Sequence, residues 1–186
     1  MEVLYDPNIE INEETVVAFG KFDGLHKGHL KIINSVISEA KRLGKKSVIY
    51  TFLNNPKAYL NKQDIIILMS NEEKKLKLEK LGVDILVFQK FDDKFASISA
   101  ENFVKDILKV KLKAKEIVIG SNSTFGKESK GNVELLKELS NKYDFEVLEV
   151  PLLYENGKVI SSSEIRKSYL RERSLKWNFL KLFIGV

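Results

Sequence analysis

The chain has no cysteine among its 186 residues, and only two histidines. The missing thiols exclude disulfides, thiolate zinc sites and a cysteine nucleophile together, and they fit a reducing compartment. No apolar run is long enough to span a bilayer, and the start, MEVLYDPNIEINEE, is acidic where a secretory leader is basic and then apolar. A cytoplasmic location with no membrane association is therefore expected. There is no array of aromatics in a basic strip, and most lysines alternate with glutamates, as in NEEKKLKLEK. Such runs read as solvated helix faces, and no nucleic-acid partner is expected.

What is present is the composition of a globular protein: 44% hydrophobic and 31% charged residues, with 31 basic and 26 acidic side chains giving a net charge of +5. The length suits one α/β domain with a sizeable core and is short for two. A mildly positive surface helps gather polyanionic small molecules such as nucleotides.

Strand-like and helix-like stretches alternate. Glu14 to Phe22 holds the run TVVAF, a buried strand ending at a glycine-containing loop; Gly28 to Leu43 carries Leu30, Ile33, Ile37 and Ala40 on one helical face, with Gly44 as a stop. Ser47 to Leu53 is a second strand, and Asn54 to Asn61 reads as a loop. Ser70 opens a helix with Glu73 placed for a capping box, Ser99 caps a helix to about Leu112, and Asn132 caps another to about Tyr143. Strands are expected at Asp84 to Phe88, Glu116 to Gly120 and Phe145 to Pro151. Helices of this length between strands imply parallel pairing through right-handed crossovers, hence an open, doubly wound, Rossmann-like α/β sheet. Ligands on such sheets sit at the carboxyl ends of the strands.

Both histidines, His26 and His29, lie in GKFDGLHKGH, Gly20 to His29, between the first strand of that pattern and its helix. A spacing of three sets the rings on one side of a helix start, Gly28 between them leaves the backbone approachable, and the first-turn amides attract anions. A phosphate pocket is one reading. A metal site is the other, though no cysteine or third histidine exists to complete zinc coordination and Asp23 alone leaves it short of ligands. Further on, ISSSEIR, Ile160 to Arg166, pairs Ser161 with Glu164 in a capping-box pattern. A capped surface helix with a solvated arginine explains it, as does a phosphate-binding helix tip with Arg166 forking onto phosphate.

GKFDGLHKGH resembles the signature loop of the HxGH nucleotidyltransferases. Its Phe-Asp-Gly form is similar to that of the prokaryotic FAD synthetases, usually the N-terminal half of bifunctional riboflavin kinase/FMN adenylyltransferases. Thr51-Phe52 with Pro56, the stretch Gly82 to Leu108, Gly120 with Asn122, Thr124, Phe125 and Gly126, and ISSSEIR resemble further family segments in the same order. The resemblance implies a domain over residues 1–170 that transfers AMP from ATP to FMN, giving FAD and pyrophosphate. It implies His26, His29, Asn122 and Arg166 as catalytic residues, and Gly20, Phe22, Asp23, Gly24, Gly28, Ser161, Ser162 and Ser163 on the ATP side. Thr51, Phe52, Asn55, Pro56 and Phe125 are implied on the FMN side, Mg2+ as the companion of ATP with no dedicated protein ligand, and a separate riboflavin kinase as a partner. Lys127 and Lys130 assist phosphate or face water.

Two departures stand out. The family usually carries Pro-His-Pro after Thr51-Phe52, where this chain reads Asn54-Asn55-Pro56; and residues 171–186, with Leu175, Trp177, Phe179, Leu180 and Phe183, form an apolar tail or linker stump where bifunctional relatives continue into a kinase module. The competing functional readings are adenylyl or cytidylyl transfer to another phosphorylated acceptor, and a non-catalytic flavin or nucleotide binder.

Overall fold

The computed structural model describes residues 1–6, 9–155 and 157–171. The apolar tail expected over residues 171–186 lies, from Glu172 onward, outside the described residues.

Six strands form one parallel sheet: β1 (Glu2–Tyr5), β2 (Thr15–Phe19), β3 (Lys46–Phe52), β4 (Ile85–Gln89), β5 (Ala114–Gly120) and β6 (Glu146–Val150), in the spatial order β1-β4-β3-β2-β5-β6. Every neighbouring pair is parallel, for example Val17 against Val48 and Ile117 against Val147. Because side chains alternate across a strand, the apolar run of β2 serves two cores. Val16 and Ala18 face a cluster with Ile33, Val36 and Ala40 of α1 (Lys27–Leu43). Val17 faces the opposite cluster, with Val104, Ile107 and Leu108, and Leu136 and Leu139 of a later helix. Helices on both faces make the sheet doubly wound, as expected.

Caps define the helices. Ser70 and Glu73 form a complete capping box at the head of α3 (Asn71–Leu81), and Gly82 ends it at φ 87°. Two short helices, α2 (Pro56–Asn61) and α4 (Asp93–Ala96), sit near the ends of β3 and β4. Ser99 accepts from the Asn102 amide to start α5 (Ala100–Asn102), which runs on as a π-helix over Phe103–Lys111. Asn132 caps α6 (Val133–Tyr143). A two-stranded hairpin, β7 (Tyr154–Glu155) with β8 (Lys158–Val159), leads into a last helix, α7, over 162–171.

Two readings are corrected. Asn54 to Asn61 is not simply a loop: Asn55 accepts from the Lys57 and Ala58 amides, and Pro56, which lacks an N–H, suits the first helical position of α2. The acidic start adds β1 beside β4, where Tyr5 stacks on Phe88 at 5.7 Å. A four-residue edge strand with few core-facing positions carries too little alternation to register in sequence.

The connection pattern sets the site. From β2 the chain moves through β3 and β4, then returns to the other side of β2 to lay down β5 and β6. The switch point therefore falls between β2 and β5 at their carboxyl ends, where the loop bearing both histidines begins.

Candidate active site

Residues 20–26 turn from β2 into α1 by an unusual backbone path. Phe22, Gly24 and Leu25 have φ of 45°, 85° and 40°. Gly24 tolerates this; Phe22 and Leu25, each costing on the order of 1–2 kcal/mol there, are held by burial at 3% and 5% exposure. His26 is the N-cap of α1, its Nδ1 accepting from the His29 amide at 3.4 Å. The two imidazoles stack at 3.7 Å between centroids, and Phe22 meets His29 edge-on at 5.4 Å. A Cβ on Gly28 would press on the His26 ring at 3.2 Å and lie 3.6 Å from the carbonyl of Ile160. Gly28 thus lets the ISSSEIR segment close over the histidine loop.

That segment is bound to the loop at several points. Ser162 Oγ donates to the Asp23 carbonyl at 2.7 Å, Arg166 pairs with the Asp23 carboxylate, and Arg166 Nε donates to the Ile66 carbonyl at 2.7 Å. The other Asp23 oxygen accepts from the Leu68 amide at 3.0 Å. Asp23 is thereby the junction of the histidine loop, the segment before α3 and the tip of α7. The capping box at Ser161 is only half formed: Ser161 Oγ accepts from the Glu164 amide at 3.3 Å, but the Glu164 carboxylate pairs with Lys167 at 2.6 Å. The expected reciprocal box is corrected accordingly.

The electrostatics favour anions. Burial pushes His29 down to about 3, with His26, Lys74 and Lys21 adding to the shift. His26 is also lowered by burial, against the pull of Asp23. Both rings are therefore neutral near pH 7, and a neutral imidazole accepts at one nitrogen and donates at the other. The Nδ1 of His29 is buried with no hydrogen-bond partner among the described residues. Lys21 is lowered by burial first and then by Arg166 and Lys57, which places several cations around a loop with one carboxylate, Asp23.

The remaining sequence candidates divide into those near the open end and those that are internal supports. Asn122 is exposed on the turn after β5, and Gly20 follows β2 without a steric demand for glycine, a Cβ there meeting only the Phe22 ring at 3.5 Å. Ser163 is exposed on the first turn of α7. Thr51, by contrast, is fully buried, its hydroxyl donating to the Lys21 carbonyl at 3.1 Å. Phe125 is 7% exposed, packed edge-on against Phe19 at 5.4 Å and bridged through its backbone to Gly131. Asn54 locks both backbone groups of Phe91, each at 2.9 Å, while Asn55 caps α2. The asparagines that replace Pro-His are thus both used in local structure. Lys127 and Lys130 are exposed, and Lys130 pairs with Glu128 at 2.8 Å.

Two features escape a reading of the sequence. Lys74, within a run that reads as a solvated face, is 4% exposed beneath the loop. Its only signal is position: it stands one turn before the buried Leu78, on the same face of α3. The second is an aromatic cluster in which Phe52, Phe91, Phe95 and Tyr59 meet at 5.5–5.7 Å beside the end of β3. Phe52 is expected at the site, but its partners come from segments with no periodic link to it. Among the described residues no group of three or more histidine, aspartate or glutamate side chains is placed to hold a metal ion.

A doubly wound sheet with a paired-histidine loop at its switch point defines a nucleotidyltransferase-type α/β domain. Residues 8–164 match the FAD synthetase family, and the chain belongs to it. A bifunctional riboflavin kinase/FMN adenylyltransferase of Buchnera aphidicola subsp. Schizaphis graminum is 37% identical over 88% of this chain and 53% of its own length. A FAD synthetase of Listeria monocytogenes is 35% identical over 81% of this chain and 61% of its own. The chain spans about half the length of the bifunctional relatives. Among solved structures, a Streptococcus pneumoniae protein described as a macrolide-efflux protein is similar at TM-score 0.78 and 30% identity, covering 90% of this chain and 56% of that one. Among the described residues of the present chain no helix is long and apolar enough to cross a membrane. A Thermus thermophilus pantothenate synthetase shares the fold at TM-score 0.58 and 16% identity, covering 90% of this chain and 70% of that one.

Proposed function

We propose that this domain transfers AMP from ATP to FMN, releasing pyrophosphate and forming FAD. The observation that carries the proposal is the union, through Asp23, Ser162 and Arg166, of the histidine loop with the tip of α7. Two anion-seeking helix starts, distant in sequence, thereby share one mouth at the carboxyl end of β2.

In the reaction an FMN phosphate oxygen attacks the α-phosphorus of ATP in line, a new P–O bond forms, and the bond from the α-phosphorus to the bridging oxygen breaks. The FMN phosphate is already ionised at neutral pH, so no general base is needed. The protein's task is alignment and stabilisation of charge on the phosphoryl oxygens. His26, engaged at Nδ1 by the His29 amide, has its other nitrogen left to donate to phosphate. His29 is the partner of the charge that develops on the α-phosphate and the departing pyrophosphate. The guanidinium of Arg166, anchored by Asp23 and the Ile66 carbonyl, offers its remaining N–H groups to the β- or γ-phosphate. Asn122, on the turn after β5, faces the same end of the sheet.

Magnesium bound to the triphosphate neutralises phosphate charge when present. No three-carboxylate cage exists for it among the described residues, and substrate and water would be its natural ligands. On the acceptor side, the half-buried rings of Phe52 and Phe95, with Tyr59 at 39% exposure, offer an aromatic wall for the flavin next to Pro56. FMN itself is the product of riboflavin phosphorylation, an activity named together with FMN adenylylation in the bifunctional relatives.

The test is incubation of pure protein with ATP, magnesium and, in parallel, FMN, riboflavin or nicotinamide mononucleotide, with CTP as the alternative donor and products separated by chromatography. FAD from ATP and FMN alone is the expected result. Product with another acceptor but not with FMN reassigns the substrate, and nucleotide binding without turnover overturns the enzyme reading.

A further inference from the structure

Lys74 is a buried lysine with no ion pair among the described residues. It sits in the first turns of α3, its amide bonded to the Ser70 carbonyl at 3.0 Å. Its Nζ donates to the Lys21 carbonyl at 3.0 Å and to Thr51 Oγ1 at 3.2 Å, while Thr51 Oγ1 donates to the same Lys21 carbonyl at 3.1 Å. The triangle ties the end of β3, the root of the histidine loop and α3 to one ammonium group.

Burying an ammonium against neutral partners is costly, and an apolar side chain of the same length would fold more cheaply. Such a charge is retained where something negative arrives to meet it. The groups facing it are Asp23 and Lys21 from the loop and His29 from α1, with Arg166 of α7 beyond Lys21. Asp23, the one carboxylate in that set, is already engaged by Arg166 and the Leu68 amide. A triphosphate on the loop would supply the missing counter-charge.

Resting on the adenylyltransferase reading, we propose that Lys74 is a positioning residue: its ammonium braces the histidine loop from beneath and provides buried positive charge for the polyphosphate of ATP. Burial holds Lys74 down to about 8, so a polyanion above it favours the charged form. The residue acts through the Lys21 carbonyl and the field it sets around His29.

The experiment compares Lys74→Met, which keeps length and loses charge, with Lys74→Gln, which keeps a donor and loses charge. Thermal melting and equilibrium affinities for ATP and for adenosine are measured on each, beside FAD formation by the wild type. Both variants are expected to fold, to lose about tenfold or more in ATP affinity and to hold adenosine affinity within about twofold. Equal losses for ATP and adenosine, no loss for either, or failure of both variants to fold would overturn the proposal and leave Lys74 as structure. A wild type that makes no FAD yet shows the ATP-selective loss would sink the FMN reading and spare Lys74. A wild type that binds no ATP overturns both.

Discussion

Two helix starts in this molecule have opposite characters. At the head of α3, Ser70 and Glu73 close a full capping box, and Glu72 and Glu73 put negative charge in the first turn. At the head of α1, the cap is a histidine accepting at 3.4 Å, the first turn holds no acidic residue, and Lys27, Gly28 and His29 follow. The first start has satisfied its amides and neutralised its dipole; the second has been left open to an outside anion. On the proposed function, the same polypeptide physics separates a helix start that serves the fold from one that serves a ligand. The tip of α7, with its half-formed box and basic Arg166, belongs with the second kind.

The contrast is broken most severely by removing the ligand-facing groups. His29→Ala is expected to lower FAD formation by roughly a hundredfold or more, the scale of losing one donor to a developing oxyanion. Its melting temperature should change little by comparison; unchanged turnover would remove His29 from the chemistry. The same ring gives a pH signature. His29 is held down to about 3 in the folded state, against 6.5 for an ordinary histidine, so below pH 6.5 the unfolded chain binds a proton that the native state does not. Stability is then full above pH 6.5 and falls as pH drops, by up to roughly 1.4 kcal/mol per pH unit for that one proton. Denaturation between pH 6.5 and about 5 should show this slope in the wild type and a shallower one in His29→Ala.

Smaller changes sharpen the comparison. Lys27→Glu gives α1 the acidic first turn that α3 already has, at the cost only of an exposed pair with Glu155. ATP affinity should fall by about tenfold, whereas Lys75→Glu on α3 should leave it unaltered, as a titration of both variants would show. Last, Ser70→Ala should cost about 1 kcal/mol of stability, read from chemical denaturation, with ATP affinity retained. If Ser70→Ala instead weakened ATP binding strongly while barely altering stability, the division between the two starts would fail.

How much of this is legible in sequence follows the same line. Beta-branched runs such as TVVAF and the Ser70, Ser99 and Asn132 caps mark their elements through local chemistry, and the structure places them within a few residues of expectation. The histidine loop and ISSSEIR are recognisable as motifs, and they meet in space at Asp23. What sequence does not carry is the burial of particular members of a uniform pattern. Lys74 looks like Lys75 and Lys77 until α3 is laid against the loop, and Thr51 reads only as a candidate on the FMN side until β3 is paired on both sides. Asn54 and Asn55 look like losses from a binding motif, yet one locks the Phe91 backbone and the other starts α2. These are tertiary facts with no local signature.

The central claim is that the head of α1 and the tip of α7 hold a single ATP. The most direct measurement is an ATP titration followed by amide resonances. Gly28 and His29 on one side, and Ser162 and Ser163 on the other, should shift together along one binding curve with one dissociation constant. Movement of only one pair, or two separable curves, would contradict the account.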